Sequence, residues 1–473
     1  MPLQRKPFLL SLPVWGVLIA GLANAGDWEL VDSVSFGATA VQRDSDNEED
    51  AERLVFTITP SFHLKGEGRR VSGDVKYGLT AAYDADDSES GLSHSLRGQI
   101  QSEIVEEFFF LNATAFAGLT SGTSTSASVD AVSPDSESVQ KYSFSLAPIF
   151  QRQLGRKANL VSRNRFSYSG SDDSDDEDTI SRSLNLGIES GRGAGRTTWF
   201  AGYTNIHSDF DTREETVNSL STGIGYQLDN SWRINAGLGY GDSDASTSRG
   251  SNEGVTWNLG ANWTPNPRTN ASVSFGESYW GEAWSGAISH ATRRTELSVK
   301  GSRSLTNSST LLAESASFGI FDPDGTPVVD PIDGDPLVVD GLLLTETDEN
   351  YINTSLGVDI ALTGRRSSIT GSVTYQEREF DVSGEREDTI AYRLKGSRNL
   401  SGATKMTAGI RYADFSSSNA ADDDTLDFTL GITNQLGRFS QIGASLSHRI
   451  FNSSDDSDYT EQRLSLTFTT RFL

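Results

Sequence analysis

The 473-residue sequence contains no cysteine, only two methionines and only twelve prolines. Without cysteine the chain has no disulfide and no thiolate for catalysis or metal binding. Beyond the N-terminus no run of about 18 apolar residues occurs, which excludes a transmembrane helix. Basic residues are also in deficit, since 39 Lys and Arg face 65 Asp and Glu, and the formal charge is −26. Binding to nucleic acid through a general basic field is therefore excluded.

The first 25 residues differ from the rest of the chain. Arg5 and Lys6 form a basic start, residues 8–22 form an apolar stretch, and Ala23-Asn24-Ala25 has the small-x-small pattern of a cleavage site. This arrangement predicts a secretory signal peptide over residues 1–25, with a mature chain that begins at Gly26.

Short segments of alternating apolar and polar residues fill the remainder of the sequence. Trp232, Ile234, Ala236, Leu238 and Tyr240 are one example, and similar segments recur up to the C-terminus. Alternation with a period of two is typical of β-strands with one apolar face. The mean hydropathy of −0.40 is compatible with a membrane barrel, because each lipid-facing residue alternates with a polar lumen-facing one. We predict an all-β transmembrane antiparallel up-and-down barrel of about 22 strands (20–24) over residues 26–473.

Two kinds of connection alternate between these segments. Short basic connections lie at 66–70, 155–157, 192–196, 264–268, 293–294 and 364–366. Long acidic connections lie at 43–52, 84–91, 171–179, 418–425 and 452–458. Short turns at one rim and long loops at the other are typical of outer-membrane barrels, which predicts that the acidic loops lie outside the cell. An even number of strands brings both termini to the periplasmic side.

The C-terminal segment RLSLTFTTRFL spans 463–473 and is apolar on one parity and cationic on the other. We predict that it closes the barrel, because every backbone polar group must be paired in the apolar slab. Phe468, Phe472 and Leu473 form the predicted signal for the barrel-assembly machinery, with Leu473 rather than an aromatic residue in the last position. Tryptophans and tyrosines near segment ends predict girdles at the two membrane interfaces; they are Trp28, Trp199, Trp232, Trp257, Trp263, Tyr279, Trp280 and Trp284.

The parity opposite to the apolar one carries many basic residues. The candidates for the lumen are Lys76, Arg163, Arg165, Arg233, Lys300, Arg393, Lys395, Arg411, Arg449 and Arg471, with Arg97, Lys405 and Arg463 beside them. Fewer acidic residues share that parity, namely Asp74, Glu103, Glu296, Asp359 and Asp427. Rings of Arg and Lys favour anionic solutes. The alternative is that these residues only supply the polar lining that every barrel lumen has.

The longest connection, residues 305–350, contains the Pro- and Asp-rich segment 321–341 and has no basic residue. A connection of this length is usually functional or disordered, and we predict either that it folds into the pore or that it is a surface excursion. No catalytic group, metal site or cofactor is predicted. His207-Ser208-Asp209 is a weak match to a catalytic rim site, and the acidic loops lack the ordered ligand spacing of a calcium loop.

The segment 263–299, WTPNPRTNASVSFGESYWGEAWSGAISHATRRTELSV, and the loop at 321–341 resemble the outer-membrane barrel proteins associated with PEP-CTERM and exosortase systems. The resemblance implies a non-enzymatic barrel in the outer membrane of a Gram-negative bacterium, in contact with its lipids and lipopolysaccharide. It also implies a role in the production or export of extracellular polysaccharide, which would be an anionic polymer if the lumen is cationic. Two alternatives remain: an anion-preferring general porin and a non-conducting structural barrel.

Overall fold

The computed structural model describes residues 27–45, 51–121, 138–172, 178–191, 193–210, 213–245, 247, 252–306, 350–419, 421–455 and 458–472. The predicted signal peptide, the segment 321–341 and Leu473 lie outside the described residues. Among the described residues, no helix is long and apolar enough to cross a membrane.

The chain forms one antiparallel sheet of 22 strands, as predicted. In chain order the strands are β1 Asp27–Ser45, β2 Ala51–Glu67, β3 Val71–Asp84, β4 Ser90–Val105, β5 Phe109–Ser121, β6 Ser138–Leu154, β7 Ala158–Ser171, β8 Thr179–Ser190, β9 Thr197–Phe210, β10 Glu214–Gln227, β11 Trp232–Ser243, β12 Glu253–Asn266, β13 Thr269–Ser278, β14 Gly281–Ala291, β15 Thr295–Thr306, β16 Tyr351–Thr363, β17 Ser367–Phe380, β18 Arg386–Asn399, β19 Thr404–Ser417, β20 Asp423–Gln435, β21 Ser440–Ser453 and β22 Tyr459–Phe472.

Strand β22 pairs with β1 and closes the sheet into a barrel. The two strands are in register from Asp32 opposite Phe472 to Ser45 opposite Tyr459. Phe36 lies opposite Phe468 on one face of this seam, and the hydroxyls of Ser35 and Thr469 hydrogen-bond at 2.9 Å on the other. Closure leaves no free edge, which is the condition for a sheet to cross an apolar layer.

The connections alternate in length around most of the barrel; the exceptions are those after β9 and β13, which are short. Those after odd-numbered strands form the long rim, and those after even-numbered strands form the short rim. Basic residues in the long-rim connections are restricted to Arg213 and Arg249, whereas carboxylates in the short-rim connections are restricted to Glu106, Glu107 and Asp229. The predicted alternation of charge is therefore confirmed, whereas the predicted alternation of length fails after β9 and β13. Several strands also extend further into the predicted loops; β12, for example, continues through 264–266.

The outer face of the barrel is apolar. Paired residues on neighbouring strands share a face, and the register links one continuous set of exposed large apolar residues around the barrel, including Leu30, Leu220, Leu238, Leu259 and Leu464. Side chains of this kind remain exposed to solvent only at an energetic cost, so the outer face is suited to lipid.

Aromatic side chains mark both ends of this outer face. Trp28, Trp199, Trp232 and Trp263 lie towards the short rim, and the rings of Trp232 and Trp263 stack at 5.8 Å. Towards the long rim, Trp257 Nε1 donates to Glu277 Oε2 at 3.3 Å. One expected girdle residue is an exception: Tyr279 turns to the inner face, where its ring covers Gly241.

Candidate functional site: the inner wall of the barrel

The inner face is identified by contacts that span distant strands. Asn350, which precedes β16, donates through Nδ2 to Glu215 Oε2 of β10 at 2.8 Å. Strands β10 and β16 are six strands apart, so the side chain of Glu215 must point across the interior. The register then places every residue that shares the face of Glu215 on the inner wall.

All ten basic candidates for the lumen lie on this inner face. The exposed members are Lys76, Arg163, Arg165, Arg233, Lys300 and Arg471, and the half-buried members are Arg393, Lys395, Arg411 and Arg449. The side chains outside that set, Arg97, Lys405 and Arg463, share the same face. The basic residues of the inner wall differ in whether carboxylates lie next to them. This difference distinguishes two parts of the inner wall.

One part of the wall is made by β19 to β22 and β1, and its charges are paired. We call it the paired-charge wall; it comprises Arg43, Arg411, Asp427, Arg449, Glu461 and Arg463. Asp427 accepts a hydrogen bond from Arg449 Nε at 2.7 Å and lies 3.8 Å from Arg411 Nη1. Glu461 lies 3.3 Å from Arg43 Nη2 and also accepts a hydrogen bond from Arg463.

The pairing in this wall follows from the strand register. Arg43, Glu461, Arg449, Asp427 and Arg411 stand opposite one another in a single row across five neighbouring strands. Cross-strand neighbours on one face are about 4.5–5.5 Å apart, so the signs alternate at contact distance. The Glu461 side chain is only 2% exposed. Arg411 and Arg449 thus act mainly as partners of Asp427, which changes their predicted role as open pore-lining cations.

A second part of the wall carries basic side chains without partners. We call it the exposed-arginine wall; it comprises Arg97 of β4 and Arg163 and Arg165 of β7. None of the three makes an ion pair within the part of the chain that the structure describes, and all three are exposed. Their cross-strand neighbours in the described strands include no carboxylate. Lys76 and Phe116 face Arg97. Ile149 and Asn185 face Arg163, and Ser183 faces Arg165. Positive charge is therefore available to solutes on this side.

The inner wall contains more carboxylates than the sequence analysis assigned to it. The additional inward carboxylates are Asp27, Glu29, Glu67, Asp84, Glu189, Glu215, Glu387, Asp423 and Glu461. Additional inward basic residues are Arg43, Arg53, Lys65, Lys141 and Arg378. Many of these residues lie near strand ends, where parity is hard to assign from sequence. The positive excess is therefore concentrated at particular strands instead of being spread around the wall.

A third part of the wall, on β10 to β13, is rich in glycine, and its inward charged residues in the described strands are Glu215 and Arg233. Its inward positions include Gly223, Gly225, Gly237, Gly239, Gly241, Gly260 and Gly276. The amide of Asn258 lies across Gly237, in the space that a Cβ on this residue would occupy. Small residues with flat-lying amides keep this side of the lumen wide.

The described residues assemble neither a catalytic triad at His207 nor a metal site. His207 Nδ1 lies 3.2 Å from Thr216 Oγ1 on the outer face, whereas Ser208 points inward to Ser181, because consecutive residues of a strand face opposite sides. No group of three or more potential metal ligands occurs in the described ranges.

No protein-family model and no curated protein matches the sequence. Solved structures with similar folds include the siderophore receptor PirA of Acinetobacter baumannii, at 9% identity over 94% of this chain and 80% of that chain, with a TM-score of 0.49. OccK2 of Pseudomonas aeruginosa, solved in complex with glucuronate, is 9% identical over 94% and 99% of the two chains, with a TM-score of 0.36. A. baumannii OccAB4 is 10% identical over 94% and 98%, with a TM-score of 0.32.

Proposed function

We propose that the protein is an outer-membrane pore involved in the production or export of extracellular polysaccharide. The main observation in support of a pore is the contrast between the two faces of one closed sheet. The outer face is apolar and exposed, whereas the inner face is polar and charged. A closed barrel of this strand number encloses a wide bore.

The exposed-arginine wall supports a preference for anions. Arg97, Arg163 and Arg165 point into the lumen without compensating carboxylates among the described residues. Fixed positive charge on a pore wall raises the local concentration of anions and lowers that of cations. We therefore assign the charge preference mainly to β4 and β7, because Arg411 is paired with Asp427.

The link to polysaccharide rests on the resemblance of 263–299 and 321–341 to barrels that accompany exosortase systems. An acidic polymer would find cationic side chains on one side of the lumen. It would also find a wall rich in glycine and asparagine on β10 to β13, which gives a long chain room to pass. In this proposal the acidic long rim faces the outside, and the protein has no enzymatic activity.

The experiment is single-channel recording with purified protein in planar bilayers. The wild-type barrel should conduct, and its reversal potential in a KCl gradient should indicate a preference for chloride. Replacing Arg97, Arg163 and Arg165 by glutamine should lower that preference while conductance stays of the same order. The matched control is Arg182→Gln, which removes one positive charge from the outer face of β8.

A folded barrel without measurable conductance would overturn the pore and favour the structural alternative. A conducting barrel whose loss from the host leaves surface polysaccharide unchanged would favour the general porin. A triple variant that keeps the wild-type chloride preference would show that other charges set the selectivity.

A further inference from the structure

Within the part of the chain that the structure describes, the barrel wall has a gap at the long rim, above the β13–β14 hairpin. The seams β12–β13 and β14–β15 each contain eight paired residues, fewer than any other seam among the described strands. The closing seam between β1 and β22 contains fourteen. Since backbone hydrogen bonds hold neighbouring strands together, the hairpin is the most weakly attached segment of the wall.

The edges of the gap are strand ends that have lost one neighbour. Residues 253–256 of β12 pair with β11 but not with β13, and residues 304–306 of β15 pair with β16 but not with β14. The hairpin between them ends in a two-residue turn, Tyr279-Trp280. At a rise of about 3.3 Å per residue, the gap is about 10 Å high.

The turn of the hairpin bends into the lumen. A Cβ built on Gly241 would lie 2.7 Å from Tyr279 Cδ1, and one built on Gly254 would lie 3.7 Å from Tyr279 Cα. Both glycines face inward on β11 and β12. The inward bend therefore requires a residue without a side chain at position 241, which Gly241 provides. The bend moves the tip of the hairpin out of the plane of the wall.

A bridge of polar side chains spans the lumen side of the gap. Thr247 donates through Oγ1 to Asp381 Oδ1 at 2.5 Å, and the Asp381 amide donates to the Asn350 carbonyl at 2.8 Å. Asn350 in turn reaches Glu215 of β10. The connection after β11 is thus joined to the turn after β17, past the open ends of the strands between them.

A cavity of about 250 Å³ occupies the gap. Its lining includes Glu277 and Leu305, which belong to the outer face, and Ser243 and Ser278, which belong to the inner face. A cavity lined from both faces of a single sheet crosses that sheet. Its lining therefore comes from both the lumen side and the membrane side of the wall.

The lining has the chemistry of a sugar site. The rings of Tyr279 and Trp280 offer flat surfaces for the C–H faces of a pyranose. Amides of Asn252 and Asn350 and the carboxylate of Asp381 line the same space and match hydroxyl groups. An acyl chain would bring apolar groups against the carboxylates of Glu277 and Asp381. An anionic sugar would meet the same two negative charges.

We propose that the gap above β13–β14 binds an uncharged saccharide. The volume lies below that of pockets for drug-sized ligands, about 300–1,000 Å³, and holds one or two sugar units. The source is either a polymer in the lumen, in which case the site rests on the proposed function, or the sugar core of a glycolipid in the surrounding leaflet. Both sources present the same hydroxyl-rich chemistry.

The test is calorimetric titration of the detergent-solubilised barrel with three uncharged glucan hexasaccharides, maltohexaose, isomaltohexaose and cellohexaose, and with hexagalacturonate. At least one glucan should bind more tightly than the hexauronate. Trp280→Ala should weaken that binding about tenfold, as expected for the loss of one well-packed ring. Trp232→Ala, at the opposite rim, should leave it unchanged. Absence of binding by all three glucans, or equal loss in both variants, would overturn the proposal.

A disulfide lock tests the gap itself, because the native chain has no cysteine to interfere. Ala283→Cys with Ser304→Cys joins β14 to β15 above their last registered pair. The matched control, Ser289→Cys with Ser298→Cys, joins residues that are already paired in the same seam. Oxidation should abolish glucan binding only in the first variant, and reduction should restore it. Full binding in the oxidised first variant would place the sugar elsewhere and overturn the site.

Two further arms separate the sources. Glucan that interrupts the single-channel current in a manner dependent on Trp280 indicates access from the lumen. Competition by lipopolysaccharide vesicles indicates the glycolipid. Calorimetry does not depend on conduction, so the two proposals can fail separately. A non-conducting barrel that binds glucan would support the saccharide site and refute the pore. A conducting barrel that binds no glucan would support the pore and refute the saccharide site.

Discussion

The paired-charge wall and the exposed-arginine wall contain the same residue type on the same face of the same sheet, yet their arginines serve different ends. Arg449 has Asp427 and Glu461 as its cross-strand neighbours, whereas Arg163 has Ile149 and Asn185. An inward arginine next to a carboxylate forms an ion pair that holds two neighbouring strands together. An inward arginine between neutral residues is available to a solute. Inward parity alone therefore does not define a pore-lining charge.

The largest expected effect is on stability, at the centre of the paired-charge wall. Glu461→Ala leaves Arg43 and Arg463 without their shared partner at the closing seam. Breaking a buried ion pair costs roughly 3–5 kcal/mol, and because these arginines keep some water we expect about 2–3 kcal/mol. Urea unfolding of the wild type and the variant in phospholipid vesicles measures this loss in the free energy of unfolding. Glu296→Gln, an exposed inward carboxylate outside this wall, should cost less than about 1 kcal/mol, and equal losses would contradict the comparison.

The next effect separates selectivity from stability. Arg163→Gln with Arg165→Gln should lower chloride preference and leave the unfolding midpoint close to that of the wild type. Arg411→Gln with Arg449→Gln should lower the unfolding midpoint and reduce the chloride preference less, because these two arginines mainly contact Asp427. Reversal potentials and unfolding curves of the wild type and the two double variants provide the measurement. If both double variants lower the chloride preference equally, pairing does not matter for the field in the pore.

A smaller effect is expected from a variant that makes the paired-charge wall more like the exposed-arginine wall. Asp427→Asn removes the carboxylate that Arg411 and Arg449 share, while the amide still accepts a hydrogen bond from Arg449. Chloride preference should therefore increase over wild type, at a modest cost in stability. A lowered or unchanged preference would show that this row of side chains is screened from the permeating ions.

The smallest expected effect is the response to salt. The Debye length falls from about 10 Å at 0.1 M to about 3 Å at 1 M. Chloride preference from the exposed-arginine wall should therefore decline over this range. The stability difference between wild type and Glu461→Ala should change much less, because Glu461 is almost fully buried. A stability difference that vanishes in 1 M salt would mean that the pair is effectively solvated.

Local periodicity was sufficient to predict the fold. The strand number, the alternation of acidic and basic connections and the facing of Phe468 and Phe472 all follow from a period of two. That signal is visible within about ten residues. The aromatic girdle was predicted correctly at Trp232 and Trp263. It was wrong at Tyr279, because the inward turn of this side chain depends on a glycine 38 positions earlier, Gly241.

The pairing of charges was not predictable in the same way. Arg43 and Glu461 are 418 residues apart in sequence and meet only because β22 closes on β1. A shift of one residue in that register would move Glu461 to the other face. Glu461 also lies next to an acidic connection, so its sequence context resembles that of a solvated loop. Only the register of every seam reveals which arginines are neutralised.

The opposite charges of the two rims have an electrical consequence. A channel with a positive mouth at the short rim and a negative mouth at the long rim resembles a junction between an anion conductor and a cation conductor. When the long-rim compartment is held positive, each ion enters through the mouth that attracts it, and carriers accumulate in the bore. With the voltage reversed, each ion must enter through the mouth that repels it, and the bore is depleted. The current through such a channel rectifies, and the sign of the rectification reports which rim faces the electrode.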